Sequence, residues 1–204
     1  MTQPEQTAPL QANDANAGGD SLAEKIARIA ESLRHLASGD LAMLRRAPLR
    51  RGEAGAPAFW LLSARHDFPA EPRWAAIIQA MALLTRRSSE GRTHHSPHDP
   101  AVPLGRALCD GNDPAWPGAG EARPALSELR FARLLNSHGE KRQELLLRAV
   151  RMLARAERPV NCVDIAAFLL AAPGHEGPAR RLARDYYGRL AFARRQTGEE
   201  ASGA

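Results

Sequence analysis

EKRQELLLRAVRMLARA, residues 140–156, is the stretch from which the fold is read. Leu145, Leu146, Ala149, Val150 and Leu153 recur at three and four residues, the period of a helix with one buried face. On the same wheel Lys141, Glu144, Arg148, Arg151 and Arg155 fall on a narrow stripe, so the helix carries a cationic ridge beside its apolar face. An ordinary solvated face with a Glu144 to Arg148 pair four residues apart has the same pattern. His138 and Gly139 bound the helix on one side and Pro159 on the other.

The neighbouring segments read the same way. Ser127 caps a helix through Asn136 that turns Phe131, Leu134 and Leu135 inward and sets Arg130 and Arg133 three apart, placed to continue the ridge. Asn161 caps a helix over 163–171, and Pro178 starts a last one through Tyr186, Tyr187 and Phe192. Towards the N-terminus, Ser21 and Glu24 have capping-box spacing ahead of Leu22, Ile26, Ile29, Leu33 and Leu36, a helix that Gly39 ends. Asp40 caps a short segment that Pro48 closes, and Pro57 and Pro72 open two helices around Trp60 and Trp74. Two breaker-rich stretches, 88–101 and 111–124, read as surface loops flanking a short apolar turn at 104–108. Nothing alternates with period two. The expectation is an all-α chain of two small packed helical bundles, 20–110 and 125–195, joined by the loop 111–124 and flanked by loose ends at 1–19 and 196–204.

The charge is segregated. Residues 123–195 hold 15 Lys or Arg against 7 Asp or Glu, a balance of +8 in a chain whose total is +5. Of the 28 basic residues only Lys25 and Lys141 are lysine, and arginine is the side chain whose planar fork suits phosphate. Richness in Ala and Arg also follows from genome composition, so it is the segregation that points to a polyanion. A second cluster, Arg45, Arg46, Arg50 and Arg51, packs four cations into seven residues that repel one another unless an anion is near.

Other chemistries are poorly served. Hydrophobic runs such as 74–84 are too short to span a membrane, and residues 1–20 lack the basic start and apolar stretch of a signal peptide, so a cytoplasmic chain with no membrane partner is expected. Cys109 and Cys162 form no CxxC pair and lack a local base, which reads as buried structural cysteine in a reducing compartment. His94, His95 and His98, with Asp99, have spacing that a metal could use, but no second ligand cluster accompanies them and a solvated loop is the plainer reading. There is no Gly-rich phosphate loop, HExxH or GxSxG. No catalytic residue, metal or cofactor is assigned. Trp60, Trp74, Tyr186 and Tyr187 have apolar helical neighbours and read as core rather than as base-stacking platforms.

Four blocks in order carry a resemblance: PLGRALCD at 103–110, SELRFARLLNS at 127–137, LLLRAVRMLARAERPVNCVDIAAFLL at 145–170 and ARRLARDYYGRL at 179–190. Together with GDLAMLRRA at 39–47 and the tryptophan helices, they resemble the CasB family, the small subunit of the type I-E CRISPR surveillance complex Cascade. The chain departs from that pattern at Cys162, where the family has an aromatic residue, and in the longer loop 111–124.

The resemblance covers about 40–190. It implies a non-enzymatic subunit, present in two copies, that contacts guide RNA and target DNA beside the CasA, CasC, CasD and CasE subunits and helps hold the displaced strand. The arginines that match its motifs are Arg45, Arg46, Arg106, Arg130 and Arg133. Arg148, Arg151 and Arg155 follow from the ridge. Arg142, off the stripe, and Arg50 and Arg51 complete the candidate set. The competing reading is a helical protein-interaction module or regulator whose arginines meet acidic protein surfaces.

Overall fold

The decisive stretch is a helix. In a computed structural model that describes residues 21–46, 57–88, 93–118 and 122–198, it spans Gly139–Leu153 and tightens into a 3-10 turn at Ala154–Ala156. The described residues hold nine α-helices and no strand: α1 Leu22–Arg34, α2 Ser38–Arg46, α3 Pro57–His66, α4 Pro72–Leu84, α5 Leu104–Asp110, α6 Glu128–Leu135, α7 Gly139–Leu153, α8 Cys162–Leu170 and α9 Gly177–Thr197. The chain is all-α, as its periodicity requires.

Local signals set most boundaries. Ser21 and Glu24 cap each other's backbone at the start of α1. The Asn161 carboxamide accepts from the Val163 N–H to begin α8. Pro57, Pro72 and Pro178 all stand in first turns, where a missing N–H costs nothing. Ser127 is the N-cap of α6 through its backbone, whose carbonyl accepts from Phe131, and its hydroxyl makes no capping bond.

α4 is apolar on every side and accordingly central, packed against α2, α7 and α8. α1 lies against α8 and α3, and α5 against α9. Buried side chains from Ile26 to Leu190 form one contiguous cluster. At its C-terminal end Tyr186 stacks on Phe131 at 3.9 Å and donates its hydroxyl to the Leu126 carbonyl at 2.6 Å.

Several expectations are corrected. α1 ends at Arg34 with His35 as its C-cap, and Gly39 sits in the first turn of α2 instead of stopping a helix. The apolar turn 104–108 is the buried helix α5, whose first N–H, on Leu104, is capped by the Asp164 carboxylate at 3.0 Å. It presses so closely on α9 that a Cβ on Gly105 would lie 2.3 Å from the Leu182 carbonyl oxygen. The stretch 88–101, of which 89–92 lie outside the described residues, is not a surface loop: His94 and Pro97 are buried, and His98 pairs with Val160 in an isolated parallel bridge. The loop after α5 is tied down as well, since Arg189 lies over the Trp116 ring and donates to the Trp116 carbonyl. Trp74 and Tyr186 are core, but Trp60 and Tyr187 are 51% and 41% exposed, on faces of α3 and α9 that no element among the described residues covers. α9 runs on to Thr197, one residue beyond the expected start of the tail. No described helix is long and apolar enough to cross a membrane.

Candidate nucleic-acid interface

α6 and α7 form an antiparallel hairpin, and the two arginine sets on them converge. Arg130 and Arg133 from α6, Arg148 and Arg151 from α7 and Arg155 from the turn that follows line one groove of about 470 Å³. Its floor is apolar: Leu126, Leu134, Leu145, Ala149 and Met152. Each of the five arginines is exposed. The local reason is the wheel itself: buried Leu146, Val150 and Leu153 hold α7 on the core, which fixes residues 148, 151 and 155 outward along its flank.

Charge balance in the groove is one-sided. Arg148 pairs with Glu144 on its own helix, and Glu144 also takes Lys141 at 2.9 Å. Among the described residues, Arg130, Arg133, Arg151 and Arg155 make no ion pair or hydrogen bond. Four guanidinium groups without a counter-charge around one concave surface repel one another, and a polyanion relieves that repulsion. Each offers two parallel N–H donors to phosphate oxygens. The apolar floor gives the sugar or base of an unpaired nucleotide something to lie on.

The remaining candidate arginines lie elsewhere. Arg45 is half-buried and wraps its fork around the end of α4, donating to the Ala82 carbonyl at 2.9 Å and to the Thr85 carbonyl, while burial lowers its pKa from the ordinary guanidinium value. Its neighbour Arg46 is exposed. Arg50 and Arg51 lie outside the described residues. Arg106 is exposed and pairs with Asp110 at 3.4 Å. Arg142 is a strut: it donates to the Ser137 carbonyl at 2.7 Å and the Phe168 carbonyl at 3.2 Å, lies 4.6 Å over the Phe168 ring, and faces a different cleft. The motif reading passed over Arg181, Arg184 and Arg195, which are exposed on α9. It also missed the apolar floor, whose signal was the pair Leu145 and Met152 beside the ridge.

The other candidate chemistry is occupied by structure. His94 faces the Leu36 carbonyl, His95 faces Arg86, and the His98 Nδ1 accepts from the Cys162 N–H at 3.1 Å, so the three rings point to three different partners. Among the described residues no group of three His, Cys, Asp or Glu side chains is placed to hold a metal. Both thiols are buried. Burial, with the Asp110 charge, pushes Cys109 up to about 12, and burial with Asp164 pushes Cys162 upward too, so neither is a thiolate at neutral pH.

Residues 40–187 match the family described as CRISPR-associated protein Cse2. No curated protein matches the chain. No solved structure matches it either.

Proposed function

The chain belongs to the CRISPR-associated Cse2 family, the CasB small subunits of type I-E Cascade, and from that premise we propose that it holds nucleic-acid strands by their phosphates in the α6–α7 groove. The observation that carries the reading is the set of four arginines, Arg130, Arg133, Arg151 and Arg155, without ion pairs around one apolar-floored groove. Such a surface grips backbone and reads no sequence, because no set of amide or carboxylate groups faces base edges from it. Opening a duplex against a guide is nearly balanced in free energy, so contacts of this kind spread over several nucleotides tip it. The strand best suited to the groove is single, since its bases are free to reach the apolar floor.

In this reading the subunit has no catalytic activity. It works beside the CasA, CasC, CasD and CasE subunits and a second copy of itself, on guide RNA and target DNA, and stabilises the displaced strand. A tagged chain purified from cells that express the whole complex tests this: guide RNA is expected to come with it, and a variant with Arg130, Arg133, Arg151 and Arg155 all changed to Ala is expected to keep the protein subunits but lose displaced-strand protection. Full protection in that variant overturns the groove as the binding surface.

The alternative, a protein-interaction module, gains no specific observation. An acidic peptide also relieves the repulsion, but membership in a family of Cascade subunits supports the nucleic-acid reading over it.

A further inference from the structure

A second cationic concavity lies at the other end of α7, on a different face. It measures about 400 Å³ and is walled by Arg73 from α4, by Gly139, Arg142 and Gln143 from the start of α7, and by Ala179 from the first turn of α9. We propose that this cleft binds a phosphate group, carried on a nucleotide or supplied free, at a site separate from the α6–α7 groove.

Three independent features converge there. First, two helices of 15 and 21 residues aim their N-terminal ends into it, and neither has a side-chain cap. The backbone N–H groups of Gly139 and Ala179 meet no acceptor among the described residues, and aligned helix dipoles favour an anion at that position. Secondly, Gln143 is 6% exposed and lines the cleft, yet its amide has no hydrogen-bond partner among the described residues. Its amide atoms stay open to solvent, so its N–H groups are free to donate to whatever fills the cleft.

Thirdly, Arg73 and Arg142 oppose each other's charge across the cleft. Arg142 is held in place by the Ser137 and Phe168 carbonyls, and Arg73 makes no ion pair among the described residues. The one carboxylate in the wall, Glu176, is engaged by Arg180 at 2.8 Å. Two cations, two unsatisfied N–H groups and an amide donor match the oxygens of one phosphate, whose tetrahedral charge is met from several directions at once. The apolar side of the cleft, at Phe168 and Leu169, leaves room for what the phosphate carries.

The test is amide-resolved NMR on the full chain, titrated in phosphate-free buffer with inorganic phosphate, then a nucleoside 5′-monophosphate, then a dinucleoside monophosphate that has only an internal phosphodiester. Saturable shifts of the Gly139 and Ala179 amides are expected. Arg73→Ala and Gln143→Leu should each weaken the saturation midpoint by roughly ten-fold, the loss of one charge-assisted or otherwise unmatched hydrogen bond. Neither side chain makes a bond to lose, so both variants should melt as wild type does; if Gln143→Leu fails to fold, Arg73→Ala decides alone. Arg130→Ala with Arg133→Ala should leave these shifts unchanged, which separates this site from the groove. Response to the monophosphates alone assigns the site to free phosphate or strand ends, and an equal response to the diester assigns it to the backbone. Shifts that never saturate, or that survive Arg73→Ala undiminished, overturn the proposal.

Discussion

The Arg189 guanidinium of α9 donates to the Asp110 carboxylate at the end of α5 over 2.9 Å, and both side chains are nearly withdrawn from water, at 15% and 5% exposure. The same guanidinium donates to the Trp116 carbonyl at 3.1 Å and stacks over that ring, so one side chain joins two helices and the loop between α5 and α6. Removing one partner of a buried pair leaves the other charge uncompensated. Arg189→Ala is therefore expected to cost about 3–5 kcal/mol, read as a lowered urea midpoint. Arg106, the second partner of Asp110, is exposed and replaces little of this. A loss under about 1 kcal/mol would show that water or Arg106 neutralises Asp110 instead.

The α5–α9 contact gives a steric prediction. A methyl group on Gly105 meets backbone, the Leu182 carbonyl oxygen, and also the Asp185 Cβ at 2.9 Å, so no side-chain rotation relieves it and the two helices must part. Gly105→Ala should destabilise by roughly 1–3 kcal/mol, as overpacking of well-packed interiors does. Gly39→Ala is the matched control. Nothing lies within 4 Å of a Cβ there, and in a helical first turn alanine is expected to stabilise by about 0.5–1 kcal/mol. Equal effects of the two substitutions would mean that α9 is free to slide.

These two contacts also mark where sequence reading stops. The capping box at Ser21 and Glu24, the prolines opening α3, α4 and α9 and the ridge on α7 are local patterns, visible because every residue involved lies within one or two helical turns of the next. The groove was half visible for the same reason: the spacing of Arg148, Arg151 and Arg155 is set by one helix, whereas their meeting with Arg130 and Arg133 depends on how the hairpin packs. The seven residues of α5 carry too little period to tell a helix from a turn, and its helicity rests on Asp164 and on α9, far along the chain. Adjacent arginines look alike in sequence, yet Arg45 folds back onto Thr85 while Arg46 faces solvent, a difference decided by the end of α4. Apolar spacing around Trp60 and Tyr187 shows that a face is apolar and not that anything covers it, and both rings are exposed.

His98 makes stability depend on pH. Its ring nitrogen accepts the Cys162 N–H at the start of α8, and burial lowers its pKa below 6.5, against the opposing pull of the Val160 backbone and of Asp99 and Asp164. His66, bonded to Ser32 at 2.9 Å, is lowered too, by burial and then by Arg65, Arg28 and Lys25. The native chain thus binds fewer protons than the unfolded chain below the ordinary histidine value, so this contribution is complete above about pH 6.5 and is lost as pH falls towards the folded values. Urea midpoints at pH 8 and pH 5 should differ in that sense. His98→Asn, whose carboxamide oxygen keeps an acceptor without titrating, should reduce the difference. Greater stability at pH 5 would reverse the assignment of His98 as a neutral acceptor.

The groove itself is tested most sharply by salt. If Arg130, Arg133, Arg151 and Arg155 touch phosphates, each contact releases condensed counterions, and the logarithm of the binding constant for single-stranded DNA falls linearly with the logarithm of salt concentration, by roughly 0.7 per contact. Arg130→Ala with Arg133→Ala should flatten that slope by about 1.4, twice the single contribution, and should do so equally for unrelated sequences because no base edge is read. Stability should barely move, since among the described residues these exposed side chains make no ion pair whose loss could matter. Lysine at both positions should restore the slope but only part of the affinity, because an ammonium keeps the charge and gives up the two-pronged fork. Arg45→Lys provides the contrast: its guanidinium is spent on the Ala82 and Thr85 carbonyls, so it should lower the melting temperature and leave the salt slope alone. A slope that the double alanine variant leaves unchanged, at unchanged affinity, would mean that the groove is a solvated surface, and an acidic protein partner would then be the ligand to seek.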